Sequence, residues 1–200
     1  MNKKIFENKS ASRNVSRLIG LLTLILFLLT IVLSTLVYGN YNFFEQNLSE
    51  LGVGSTAIIF NIGLMLSALL LIVFYYFILF KESKTNFLVA LFSAIGFFGI
   101  GLFPLTLSFL HYVSAGIFFV LSAILIAKIV IDNKMKTKKI DFVGIFSLVL
   151  IIIYLALFQT PLMQKIAIIG IIIWLISKVF YSKTYARDES RTRAPLRKMG

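Results

Sequence analysis

No cysteine occurs in this chain, and among its 200 residues there is a single histidine, His111. Disulfides and thiolate metal sites are thereby excluded, and thiols report no redox compartment. One histidine cannot supply bis-histidine haem or the three protein ligands of an ordinary zinc site. Neither a metal nor a cofactor is therefore expected. The signatures H-E-x-x-H, G-x-S-x-G and the phosphate-binding Walker loop are also missing. A serine–histidine pair drawn from Ser49 or Ser108 with His111 is the one nucleophilic arrangement left, and no oxyanion-hole signature accompanies it.

Charge is scarce as well. Charged residues make up 14% of the chain and hydrophobic ones 59%, with mean hydropathy +0.95; soluble domains hold about 25% charged and 45–50% apolar. The expected fold class is all-α, a polytopic membrane protein built as a bundle of six transmembrane helices. The apolar runs fall at about 18–37, 55–80, 87–103, 109–131, 140–158 and 162–181. About 20 residues at about 1.5 Å each cover a hydrocarbon core of about 30 Å. The first run exceeds a signal-peptide apolar region of about 7–15 residues and no A-x-A-like site follows it, so it is read as an uncleaved span. Pro104 ends the third run and Pro161 suits the first helical position of the sixth. Glycines such as Gly63, Gly96, Gly99 and Gly101 are read as points of close helix packing.

The few charges are distributed unevenly. Five basic residues precede the first span, two lie in the second loop, five in or beside the fourth, and seven in or just before the tail, so 19 of the 20 fall on one side. Lys165 alone falls on the other. The positive-inside rule then places both termini in the cytoplasm, with residues 1–17 as a basic N-terminus and 182–200 as a basic, disordered tail. Four of the six arginines lie in that tail (Arg187, Arg191, Arg193, Arg197), and an extension added to the native chain is the alternative reading of it. The net charge of +12 is explained by anionic headgroups. Membrane lipids, and a membrane protein or a second copy of the chain, are the expected partners; nucleic acid is not.

Candidate chemistry concentrates at the outer ends of the second and fourth spans. Glu50 and Asn61 are 11 residues apart, which returns to nearly the same face of a continuous helix about 16 Å lower. His111, Ser114 and Ser122 repeat the pattern on the fourth span. Two such stripes facing each other would line a polar pocket open to the outside, because polar groups within spans face protein or water. Plainer roles compete at each position. Asn47 and Glu50 have capping-box spacing, Asn61 suits a bridge between helices, His111 suits an interfacial helix start, and Gly52 and Gly54 can mark a bend. Asn47-Leu48-Ser49 matches a glycosylation sequon, as do two segments on the wrong side, so it carries no weight.

The segments Leu48-Ser49-Glu50-Leu51-Gly52, Phe60-Asn61-Ile62-Gly63 and Gly101-Leu102-Phe103-Pro104, followed by His111, resemble an uncharacterised prokaryotic membrane family, domain of unknown function 998. The resemblance implies a six-helix bundle over about residues 15–182, with signature residues at the outer ends of the second to fourth spans. It implies no activity. The expected function is binding of a lipid, a small amphipathic molecule or a membrane partner in an outward-facing pocket between the second, third and fourth spans, held by Glu50, Asn61, His111, Ser49 and Ser114. The alternatives are a proton-coupled transporter using Glu50 and His111, and a membrane hydrolase or lipid-modifying enzyme with His111 as base and Glu50 orienting it.

Overall fold

The computed structural model describes residues 2–132, 138–156 and 160–181. It is all-α: α1 is Asn2–Tyr38, α2 Ala57–Leu79, α3 Lys84–Leu102, α4 Ser108–Asp132, α5 Lys138–Ala156 and α6 Pro161–Tyr181. Five long apolar helical stretches can cross a membrane: Asn14–Tyr38, Gly54–Leu79, Lys84–Leu102, Leu105–Asp132 and Pro161–Phe180. The sixth apolar stretch, Phe142–Ala156 in α5, is shorter. The chain is a multi-pass membrane protein. The arginine-rich tail, Lys134 and Lys136, and the start of the turn at Gln159 lie outside the described residues.

Local chemistry sets the helix ends. Gly39 takes a φ of +81° directly after α1, a left-handed conformation open to glycine at no steric cost. The Ser83 hydroxyl accepts the Asn86 backbone N–H at 3.2 Å to start α3. Pro104 blocks continuation of α3, and a short 3-10 turn, Leu105–Leu107, leads into α4. Pro161 opens α6, where its missing N–H is no loss.

Each helix packs beside its neighbours in sequence, and α6 closes the ring against α1. Two kinds of seam result. Along α2, α3 and α4, glycines bring backbones together: a Cβ on Gly96 would stand 2.7 Å from the Phe118 backbone nitrogen, and one on Gly101 would stand 2.6 Å from the Asn61 carbonyl oxygen. Ser93 and Ser122 hydrogen-bond to each other across this seam at 2.8 Å. Toward α1 and α6 the glycines meet side chains instead, Gly63 that of Thr30 and Gly20 those of Val179 and Phe74, and large side chains, including Phe27, Phe97, Phe118, Phe119 and Ile171, fill the space between. The Phe27 and Phe97 rings meet edge to face at 5.5 Å, and Phe97 stacks on Phe118 at 4.9 Å.

Candidate functional site

The α1–α2 loop does not extend α2 upward. It folds as two 3-10 turns, Leu48–Gly52 and Gly54–Thr56, separated by Val53 in extended conformation (φ −126°, ψ 149°). Gly54, at φ +73°, makes the reversal possible. The continuous helical face expected from Glu50 to Asn61 is therefore broken, and Asn61 is not 16 Å below Glu50 along one axis. Instead Asn61 reaches back to the loop, its Nδ2 donating to the Gly52 carbonyl at 3.0 Å. Its Oδ1 is buried without a hydrogen-bond partner.

Glu50 is absorbed by the same loop. Its Oε1 accepts the Asn47 backbone N–H at 2.8 Å and its Oε2 accepts from Gln46 Nε2 at 3.2 Å. Gln46 also donates to the Tyr38 hydroxyl at 3.1 Å, and the Tyr41 hydroxyl donates to the Gln46 carbonyl at 3.0 Å. Burial pushes the Tyr41 phenol well above its ordinary range, with the Glu50 charge and then Tyr38 adding to the effect. Glu50 thus holds a polar knot in the α1–α2 loop, in the capping role that its spacing allowed.

Beneath the knot lies a cavity of about 70 Å³. It is bounded by α1, α2, α3, α4 and α6, with Leu48 and Ser49 at one end and Leu71 and Leu175 at the other. Its wall is apolar apart from Thr23, Ser49, His111 and Gln164. The Thr23 hydroxyl is spent on the Ile19 carbonyl at 2.8 Å, which leaves the polar groups of the wall at the Ser49 end. From Gln164 to Leu175 is 11 residues, or about 16 Å of helix. The volume is small for that length, since an engineered cavity that admits a single benzene ring is about 150 Å³; it is a narrow apolar bore that a chain enters only as lining side chains such as Phe118 and Ile171 give way.

His111 is only 4% exposed. Its Nδ1 lies 2.8 Å from the Phe103 carbonyl oxygen. A carbonyl only accepts, so Nδ1 carries the proton, and in the neutral ring Nε2 is left as a bare acceptor. Pro104 produces this arrangement: by ending α3 it turns the Phe103 carbonyl out of the helical ladder toward α4.

Of the five expected site residues, Ser49 and His111 line the cavity, while Glu50 and Asn61 belong to the loop knot above it. Ser114 faces α3 instead, where a Cβ on Gly99 would come within 2.9 Å of the Ser114 Cβ. The pocket expected between the second, third and fourth spans is accordingly displaced toward α1 and α6, because the glycine seam leaves no room where it was expected.

Two residues of α6 complete the site and were not anticipated. Gln164 Oε1 accepts the Leu48 backbone N–H at 3.1 Å. Lys165, 2% exposed, donates to the Gln46 carbonyl at 2.5 Å and the Pro161 carbonyl at 3.3 Å. Its ammonium lies 4.8 Å from the centre of the Phe43 ring and 5.5 Å from that of Tyr41, where the ring faces attract a cation. Together these contacts fasten the loop over the cavity. The signal for them was present: a lone Gln-Lys pair within an otherwise apolar run, its lysine the one that the expected topology leaves apart from all the other basic residues. Among the described residues no cluster of three His, Cys, Asp or Glu side chains is placed to hold a metal ion.

The family described as "Protein of unknown function (DUF998)" matches residues 21–180, and the chain belongs to that family. No curated protein and no solved structure matches it.

Proposed function

We propose that this membrane protein binds a single-chain amphiphile, its tail in the central bore and its head beside Ser49, His111 and Gln164. The bore carries the reading: an apolar slot about 16 Å long with its polar side chains gathered at one end matches a molecule that is apolar along its length and polar at its tip. A flexible chain can follow so narrow a path as side chains give way, where a rigid ring system cannot. Six crossings with both termini in the cytoplasm are part of the proposal, supported by the 19 of 20 basic residues that this topology gathers on one side. On that topology the head lies toward the outer face and the loop of residues 39–56 covers it. The end opposite the head is lined by Leu71 and Leu175, with Phe74 and Trp174 buried, and the lack of polar side chains there supports binding over passage through the bundle.

Native mass spectrometry of the chain released from mild detergent tests this against a substitution at Ala115, which lines the bore on α4: Ala115→Phe places a ring there. The expected result is a discrete retained mass on the wild type and none on the folded variant. A wild type and variant carrying the same mass, or none, would move the function to docking of a membrane partner or of a second copy.

A further inference from the structure

The head-group end of the bore has a definite hydrogen-bonding polarity. None of the described residues lining the cavity is charged. The nearby ionic groups are committed elsewhere: Lys165 to the Gln46 and Pro161 carbonyls, Glu50 to Asn47 and Gln46. Gln164 has its Oε1 taken by the Leu48 N–H, so it offers the head no acceptor. Ser49 accepts or donates equally well, so it does not discriminate. That leaves His111. With Nδ1–H given to the Phe103 carbonyl at 2.8 Å, neutral imidazole offers the bore only a lone pair.

We infer that the head this site selects is a neutral hydroxyl, a hydrogen-bond donor such as that of a long-chain alcohol or a monoacylglycerol, and not a carboxylate or phosphate. This rests on the proposed amphiphile binding and names its ligand class. An ionised head brings only acceptor oxygens to Nε2, so two lone-pair-bearing atoms face each other where no lining cation offsets the lost hydration. A hydroxyl donates to Nε2 and accepts from Ser49, which satisfies both partners. Sites built to bond a particular polar group discriminate steeply, because the wrong ligand leaves buried groups unpaired.

The test is a competition series on the full chain in detergent, using an alcohol, a monoacylglycerol, a carboxylate and an alkyl phosphate of equal chain length. The series is run in mildly alkaline buffer. The hydroxyl-headed probes are expected to bind at least about tenfold more tightly than both anions, a gap of about 1.4 kcal/mol. His111→Ala should reduce that gap to about twofold, and His111→Gln, which keeps a donor and an acceptor, should restore part of it. Anions binding as tightly as the alcohol, with all probes lost on Ala115→Phe, would overturn the head-group inference while leaving the bore as the site. Binding that survives Ala115→Phe would overturn the bore itself. Whether alcohol or monoacylglycerol binds more tightly identifies which source of the hydroxyl the site prefers.

Discussion

The α2–α3–α4 seam and the α1–α6 side of the ring are made from similarly apolar sequence, yet one is solid and the other holds a bore. The difference is what the small residues meet: backbone at Gly96 and Gly101 on the first, side chains at Gly20 and Gly63 on the second. At Gly96, Gly99 and Gly101 the next helix approaches so closely that a methyl group would press on backbone atoms or on Ser114. Close backbone approach of this kind is how helices gain packing energy in lipid, where burial of apolar surface supplies little. On the other side Phe27, Phe118, Phe119, Ile171 and Ile172 meet side chain to side chain and line the bore. Polar chemistry follows the same division. Serines on the tight seam satisfy each other, as Ser93 and Ser122 do, whereas Ser49 and His111 sit where a ligand has room.

The contrast can be broken most forcefully with a single methyl. Gly96→Ala sets a Cβ 2.7 Å from the Phe118 nitrogen and 2.9 Å from the Ser114 carbonyl oxygen, neither of which can rotate away. A loss of about 2–3 kcal/mol is expected in thermal unfolding from micelles; an unchanged midpoint would mean that the seam is not tight. Next in size is Lys165→Met, which leaves the Gln46 and Pro161 carbonyls without their donor and should cost about 1–3 kcal/mol. It should also speed proteolysis within residues 39–53 ahead of any helix, because Lys165 pins that loop to α6. Asn61→Ala should cost less than about 1 kcal/mol. It forfeits the bond to the Gly52 carbonyl but also removes the partnerless Oδ1. The smallest effect belongs to Gly170→Ala on the α5–α6 side. There the new methyl meets Leu150 Cδ1 at 3.2 Å, a side-chain tip that can yield, and a change within about 0.5 kcal/mol is expected. Equal penalties at Gly96 and Gly170 would contradict the comparison.

Much of this architecture could be read from residue order alone. Apolar runs bounded by Lys81, Ser83, Pro104 and Pro161 mark four helix boundaries to within three residues of those observed, since lipid demands long helices and proline forbids their continuation. His111 and Ser49 stood out because polar groups are rare in such a chain. What the order of residues concealed was direction. Glu50 and Asn61 share a helical period, but Val53 and Gly54 break the axis between them, and periodicity has no meaning across a break. The role of α6 was hidden for a different reason. Gln164 reaches Leu48 over 116 positions of sequence, and a contact that distant leaves no local pattern. The glycines were recognised as packing points, yet their consequence, a solid seam that pushes the pocket toward α1 and α6, depends on which helix each one meets.

One ring carries the central claim, and the chain has only one such ring. Nitrogen-15 labelling of histidine therefore gives a single pair of imidazole signals, read without assignment. The account predicts a protonated Nδ1, held by the Phe103 carbonyl, and an unprotonated Nε2 whose resonance shifts when a monoacylglycerol is added to the wild type but not to Ala115→Phe. A ring protonated at Nε2 in its neutral form, or an Nε2 signal indifferent to the amphiphile, would contradict it.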